Sequence, residues 1–362
     1  MTTRPLVSIM MQAYGRPEYT RSALRSVVEQ EYRPIEVVFS DNCSPVSLEP
    51  VVGEFRVFED DLFSIRFYRQ ETNVGFPDNE MFVFDRLTGK YALFLCNDDW
   101  FTDRRFLVEA VGIMESTPEC VLCAANSEIE KTNGQRTITL PDGLDAKDTW
   151  CILAGDAYIK LLGEDGIGYQ ACSAVLFNLA MARSLGAMHY PFTIPGWLER
   201  KLGIPGDEGW AAQYLLASVG SVALTDRVVS VRGVPEESYS RSEEWQRLCN
   251  QAMFIIFYNL YSAELKGPYA RAVKKRARET IFLYTLSSMN MKIIRHYGYK
   301  PEVIGLMLAS WVLYYARYYG RVLRGIKRVI VNNDSAALRE IVAKVKERGL
   351  LRSVLPFVIR SR

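Results

Sequence analysis

Over its first 125 residues the chain alternates two hydrophobic patterns. Short apolar runs give way to stretches in which apolar side chains recur at helical spacing. PLVSIMMQA reads as a buried strand ending near Ala13, and EYTRSALRSVVEQEY sets Leu24, Val27 and Val28 on one face of a helix. PIEVVFSDN is a second strand ending in Asp41, and SIRFYRQ is a third. PDNEMFVFDRLTG has helical spacing, with Pro77 near its start and Gly89 just past its end. KYALFLCNDD predicts a fourth strand, DRRFLVEAVGIMEST a helix capped by Asp103, and CVLCAAN a fifth strand. Strands alternating with helices of this length predict βαβ units, a largely parallel sheet and an α/β fold.

The pattern then changes. Residues 126–235 are rich in Gly and Pro (GEDGIGYQ, PFTIPGW, LGIPGDEG), which predicts long loops around a few strands and helices. From about Tyr239 long helical patterns take over, including ARAVKKRARETIFLYTLSSMN and PEVIGLMLASWVLYYARYYGRVLRGIKRVI. The expected organisation is a sheet domain over residues 1–235 and a basic helical region over 236–362. Val303–Ala316 carries no charge, but it is shorter than the roughly 20 residues that span a bilayer. Arg317, Arg321, Arg324, Lys327 and Arg328 follow it. Two readings are even here: an interfacial helix, apolar on one side and cationic on the other, or a core helix of a small bundle that could join a second copy. No nucleic-acid motif stands out, and no nucleic-acid partner is expected.

Charge sharpens this division. The net charge of +2 hides 21 Lys and Arg against 6 Asp and Glu in Ala263–Arg362, a net of +15 there and −13 over the rest. The opening residues lack a basic start followed by an apolar run, so reduced thiols and a cytoplasmic chain are expected. Of the seven cysteines, Cys120 and Cys123 have CxxC spacing, but their surroundings predict strand packing rather than redox chemistry. Only two histidines are present, His189 and His296, which poorly supplies a zinc site or a Ser-His-Asp triad. A metal would therefore rest on carboxylates, which favours magnesium or manganese. GxxxxGK[ST] and GxGxxG are both absent, which disfavours a P-loop or a dinucleotide site.

Near residue 100, in LFLCNDDWF, an apolar run meets two adjacent carboxylates, Asp98 and Asp99. Adjacent like charges repel unless a cation or a solvated turn relieves them. In open α/β sheets ligands bind beyond the carboxyl ends of the strands. Gln12, Tyr14 and Arg16 follow the first strand, Asp41 and Asn42 the second, and Asn97 to Asp99 the fourth. Each cluster alone reads as a loop; three along one sheet edge predict a pocket.

In their order along the chain, these elements resemble glycosyltransferase family 2, the inverting enzymes of GT-A fold. The resemblance rests on Tyr14, Gly15 and Arg16; Ser26 and Gln30; Asp41 and Ser44; Asn73 and Gly75; Gly89, Lys90 and Tyr91; and Asp98 and Asp99. It covers about residues 4–230, weakly after 125. It implies a Rossmann-like mixed sheet flanked by helices, with the helical C-terminal region as an extension. Asp98 and Asp99 resemble the acidic motif that holds Mg2+ or Mn2+ against the donor diphosphate; the family's first acidic position falls here at Cys96 or Asn97. Asp41 resembles the residue that accepts from the base imide N–H, with an Asx turn over DNCS as its structural alternative. Ala13, Tyr14, Arg16 and Asn73 would line the nucleotide, with Arg69 a neighbour.

An inverting enzyme needs a base on the acceptor side of the sugar. The family places it in an acidic motif opening a helix. In GIPGDEGWAAQYLLASVG that aligns Asp207, with Glu208 next in line; plain helix N-terminal charge competes with this reading. Trp197, Trp210, Tyr169 and Gln170 are candidate acceptor contacts. The resemblance implies a hexosyl- or deoxyhexosyltransferase using a UDP- or dTDP-sugar and a saccharide or lipid-linked saccharide acceptor, in cell-surface polysaccharide assembly. The basic C-terminal region would suit the anionic inner face of a membrane, as a peripheral contact. The alternative is a non-catalytic binding or scaffold protein that keeps the sheet.

Overall fold

The apolar run Val7–Ala13 is strand β1, and Ile35–Asp41 (β2) and Phe63–Arg69 (β3) extend the sheet beside it in parallel. Between β1 and β2 lies α1 (Pro17–Val28), and between β2 and β3 the short helix α2 (Glu49–Gly53). Helix α3 (Phe76–Phe84) leads to β4 (Tyr91–Phe94), which lies parallel to β1 on its other side. The computed structural model describes residues 4–130, 136–138, 149–162, 172–186, 208–233, 257, 260, 261 and 264–288. Of the chain's two compact units, Met1–Ser288 and Met289–Arg362, the described residues all lie in the first.

The expected fourth strand is divided. β4 stops at Phe94, the chain turns through Cys96 to Asp98, and Asp99–Phe101 forms a separate strand, β5. Helix α4 (Phe106–Ser116) and β6 (Cys120–Glu130) follow. Asp103 is not the α4 cap. Arg105 holds that position, while the Asp103 carboxylate accepts the Arg105 N–H at 2.8 Å and pairs with Arg227. The later described elements are β7 (Arg136–Ile138), β8 (Cys151–Leu153), α5 (Gly155–Leu161), β9 (Val175–Asn178), α6 (Leu179–Ser184), α7 (Glu208–Ala217), β10 (Ser221–Gly233) and α8 (Ala270–Ser288).

The sheet runs β3-β2-β1-β4-β9-β6-β10, and it is mixed rather than largely parallel. β9 is antiparallel to both β4 and β6 and separates the two parallel sets. β10 lies parallel to β6 along one edge; its other edge is shared by β8 and β5, both antiparallel to it. Cys120 and Cys123 are free thiols buried on β6, as strand packing requires.

One sheet face is apolar. Ile9, Met11, Val37, Phe39 and Leu93 pack with Ala23, Leu24 and Val27 of α1 and Phe106, Leu107 and Ala110 of α4. Each such wholly buried Val, Leu or Phe contributes about 1.5–3 kcal/mol. The face beneath α3 carries buried polar groups. Glu36 takes the Ser8 hydroxyl (2.5 Å), the Thr88 N–H (2.6 Å) and hydroxyl (2.9 Å), and Arg66 (2.7 Å). Burial pushes the Glu36 carboxyl up, but these hydrogen bonds and the Arg66 charge outweigh it and hold the group below the ordinary carboxylate range. Farther along the same face, Asn79 of α3 accepts the Ser40 hydroxyl at 2.6 Å.

Helix α8, expected in the C-terminal region, belongs to the first unit and packs on α5. Val273 and Ala277 are buried, while Arg271, Lys275 and Arg278 are exposed. Among the described residues no helix is long and apolar enough to cross a membrane. The patterns over 289–362, including Val303–Arg328, lie outside the described residues.

Candidate active site

Parallel register sets the site. Ala13, Asp41 and Arg69 are partners across β1, β2 and β3, so three carboxyl ends finish level. The loops beyond them are joined by hydrogen bonds. The Gly15 N–H donates to the Ser44 hydroxyl at 2.7 Å, and the Asn97 amide donates to the Gly15 carbonyl and the Thr20 hydroxyl, both at 3.2 Å. The Asn42 amide reaches Asn73 (3.0 Å) and the Gly75 carbonyl (3.1 Å), and its own carbonyl accepts the Val74 N–H at 3.0 Å. The structure thus brings together Ala13, Tyr14, Arg16, Asp41, Asn73 and Asp98. Asn97, one of the two residues at the family's first acidic position, is engaged in stitching two of these loops. Tyr14, Val74 and Phe76 are exposed around them, and Phe76 stands edge-on to Phe94 with ring centroids 6.3 Å apart.

The two adjacent aspartates separate in role. Arg16 donates to Asp98 at 2.7 Å, and both side chains keep some exposure, 26% and 17%. Asp99 is buried inside the sheet, opposite Arg232 of β10. Burial pushes the Asp98 carboxyl above its usual range, against Arg16 and Arg232. Burial, then the Asp98 charge, push Asp99 up as well, against the opposing pull of Arg232, Ser173 and the Gly233 N–H. Arg16 and Arg232 oppose this rise without outweighing it, so burial leaves the strand end with less than two full negative charges.

Asp41 is also enclosed. Its wholly buried carboxylate accepts the Ser44 N–H at 2.8 Å, the Leu48 N–H at 3.1 Å and the Arg69 guanidinium. Three of about four lone-pair directions are thereby filled by the chain itself. This is the Asx-turn arrangement with an ion pair added, and it leaves little room for a base imide.

Sequence reasoning missed Gly233. Its N–H donates to the Asp98 carbonyl at 2.9 Å, and a Cβ there would lie 2.2 Å from that oxygen. The only sequence signal is a glycine ending an apolar stretch. Arg232 and Ser173 were missed too, because they reach the aspartates by long-range pairing: Arg232 opposite Asp99 across β10 and β5, and Ser173 from the turn Cys172–Ala174 before β9. Glu208 is the first residue of α7 and Trp210 lies in its first turn; Asp207, Tyr169, Gln170 and Trp197 lie outside the described residues.

For a metal, this donor set is small. Among the described residues no group of three or more His, Cys, Asp and Glu gathers to hold an ion. Asp98 presents a partly exposed carboxylate beside Arg16, while Asp99 is buried in the sheet. That fits a hard divalent cation completed by water and substrate phosphates, not one caged by protein.

Residues 8–178 match the protein family described as Glycosyl transferase family 2. The uncharacterized protein Rv1520 of Mycobacterium tuberculosis is 30% identical over 118 residues, which is 32% of this chain and 34% of that protein. The chain thus spans about a third of that curated relative. TuaG of Bacillus subtilis, named as a glycosyltransferase of teichuronic acid biosynthesis, is 21% identical over 156 residues, 41% of this chain and 61% of TuaG. Among solved structures, S. aureus TarS 1–349 in complex with UDP-GlcNAc superposes with a TM-score of 0.53 at 14% identity, covering 84% of this chain and 79% of that one. That likeness establishes a shared GT-A architecture.

Proposed function

With residues 8–178 a glycosyltransferase family 2 domain, we propose that this chain moves a sugar from a nucleoside-diphosphate donor to a hydroxyl of a saccharide acceptor, with inversion. The observation that carries this is the meeting of the β1, β2, β3 and β4 loops around one partly exposed carboxylate, Asp98, already paired with a cationic side chain. The TarS complex with UDP-GlcNAc and the TuaG name support a UDP- or dTDP-sugar and a cell-surface polysaccharide acceptor.

Asp98 would hold Mg2+ or Mn2+, which, when bound, offsets the charge developing on the departing diphosphate. Arg16 adds a second positive charge beside the same phosphates. The exposed Tyr14 and Phe76 offer aromatic faces to a base or sugar ring. Asp41 acts from within, fixing Ser44 and thereby the Gly15 loop, rather than by reading the base. Asp207, with Glu208 behind it, takes the proton from the attacking hydroxyl on the face opposite the leaving group. Away from the donor chemistry, the exposed Arg271, Lys275 and Arg278 of α8, which packs on α5, suit an anionic membrane surface, which co-sedimentation with anionic against neutral vesicles tests.

The deciding experiment is a thermal-shift panel of UDP, dTDP, GDP, CDP and ADP, each with and without Mn2+. Ligands that bind only the folded state raise its Tm. UDP or dTDP raising Tm only with Mn2+ supports the reading. No shift with any of them refutes it and leaves the scaffold role, which Cys96 and Asn97 in place of acids favour.

A further inference from the structure

Gly15 and Arg16 are successive residues in the left-handed region, at φ 66° and φ 61°. For glycine this is ordinary; for arginine it is uncommon and costs about 1 kcal/mol. The backbone reversal starts α1 and brings the guanidinium 82 residues forward in sequence onto Asp98, at 2.7 Å. An outlier of this kind, found at a site, points to a function for the contact it makes. Asp98 is partly exposed where Asp99 is buried, and one carboxylate is too little to retain a divalent cation without phosphate oxygens.

We propose that Arg16 is a resident counter-ion: it occupies the cation's place on Asp98 while no nucleotide is bound, and transfers to the diphosphate when the donor arrives. This rests on the donor-site reading above. The exchange conserves pairing at every stage. Before binding, Asp98 faces Arg16. After binding, Asp98 faces the divalent ion and Arg16 faces phosphate, to which a guanidinium's fork of N–H donors is well matched. The residue thus makes metal and nucleotide binding mutually reinforcing. Metal alone must displace a guanidinium bonded to Asp98, whereas metal with nucleotide brings that guanidinium a phosphate to pair with.

The test measures Mn2+ binding to the full chain by the electron paramagnetic resonance of free Mn2+, with and without UDP or dTDP, subtracting the metal–nucleotide complex formed in buffer. The wild type should bind Mn2+ weakly alone and at least about tenfold more tightly with nucleotide, within the usual range of coupling between sites. Arg16→Gln should bind Mn2+ alone about tenfold more tightly than the wild type and lose most of the coupling, since about 1.4 kcal/mol of displaced ion pairing is a factor of ten. Arg16→Lys retains a cation but not the forked donors, so it should fall between them; it also serves if the glutamine variant folds poorly. Unchanged Mn2+ affinity in both variants without nucleotide, beside a wild type that binds Mn2+ with nucleotide, overturns the counter-ion role and leaves the donor site standing. A wild type that binds Mn2+ under neither condition overturns the donor-site reading itself, and the counter-ion role falls with it.

Discussion

Replacing Asp41 with Asn separates a carboxylate that builds the site from one that only reads a base. The change keeps size and shape but removes the charge and converts one acceptor oxygen into a donor. The Asp41 carboxylate accepts from Ser44 N–H, Leu48 N–H and Arg69, and it is wholly buried. An asparagine with its oxygen in the Oδ2 place keeps the Leu48 N–H and Arg69 as donors and turns its NH2 against the Ser44 N–H. A buried N–H left unmet costs about 1–3 kcal/mol. Removing one partner of a buried ion pair costs about 3–5 kcal/mol, less here because Arg69 can draw on water. Its side chain is 34% exposed. The two losses share one carboxylate and overlap, so about 3 kcal/mol in total is expected, without any ligand present. Urea unfolding of the nucleotide-free protein, followed by circular dichroism, measures it. The double variant Asp41→Asn, Arg69→Met should recover about 1 kcal/mol, because the uncompensated guanidinium is gone. A nucleotide-free stability within about 0.5 kcal/mol of wild type, the usual range for a surface change, with UDP affinity lost, would refute the reasoning and return Asp41 to base recognition.

Other outcomes follow from the same geometry. Gly233→Ala places a methyl 2.2 Å from the Asp98 carbonyl, so the loop must shift; titration calorimetry should show Mn2+-dependent UDP affinity falling at least about tenfold, the effect of losing roughly 1.4 kcal/mol. Glu36, depressed in the folded state, contributes stability that is complete above its unfolded value, near pH 4.3, and is lost as pH falls through its lower folded value. Glu36→Gln should accordingly be less stable than wild type at pH 7, with the gap closing toward pH 3 in denaturation series; a gap independent of pH would count against the network. Asp207→Asn should leave Mn2+-dependent UDP binding intact and lower turnover by roughly 10²–10⁴, the span of general-base contributions; unchanged turnover would pass the role to Glu208.

Local pattern revealed the strands and helices that bury one continuous stripe. β1, α1, β2 and β3 have the expected order and near-expected ends because Ile9, Leu24, Val27 and Phe39 recur at the period each element needs. The strand-end rule then gathered Tyr14, Arg16, Asp41 and Asp98. What local pattern could not carry was pairing. β10 has register shifts around Val228 and polar Thr225, Asp226 and Arg227 in its middle, so its alternation is broken and it reads as loop. The antiparallel entry of β9 and the separation of β5 from β4 are decided by partners more than 50 residues away, Phe177 opposite Leu122 and Val231 opposite Trp100. Nor does a sequence show which of two adjacent aspartates faces inward; Ser173 and Gly233 decide that for Asp99.

β10 has a practical consequence for anyone building chimaeras from this sheet. A graft cut where the family match ends, at residue 178, would remove the neighbour of β6 along its whole length and the partner of Asp99–Phe101. The orphaned edge would then offer open N–H and C=O groups to other chains, and the Asp98 turn would lose its Gly233 anchor. The smallest transplantable sheet unit therefore ends after Gly233, so crossover points for chimaeras belong beyond that glycine.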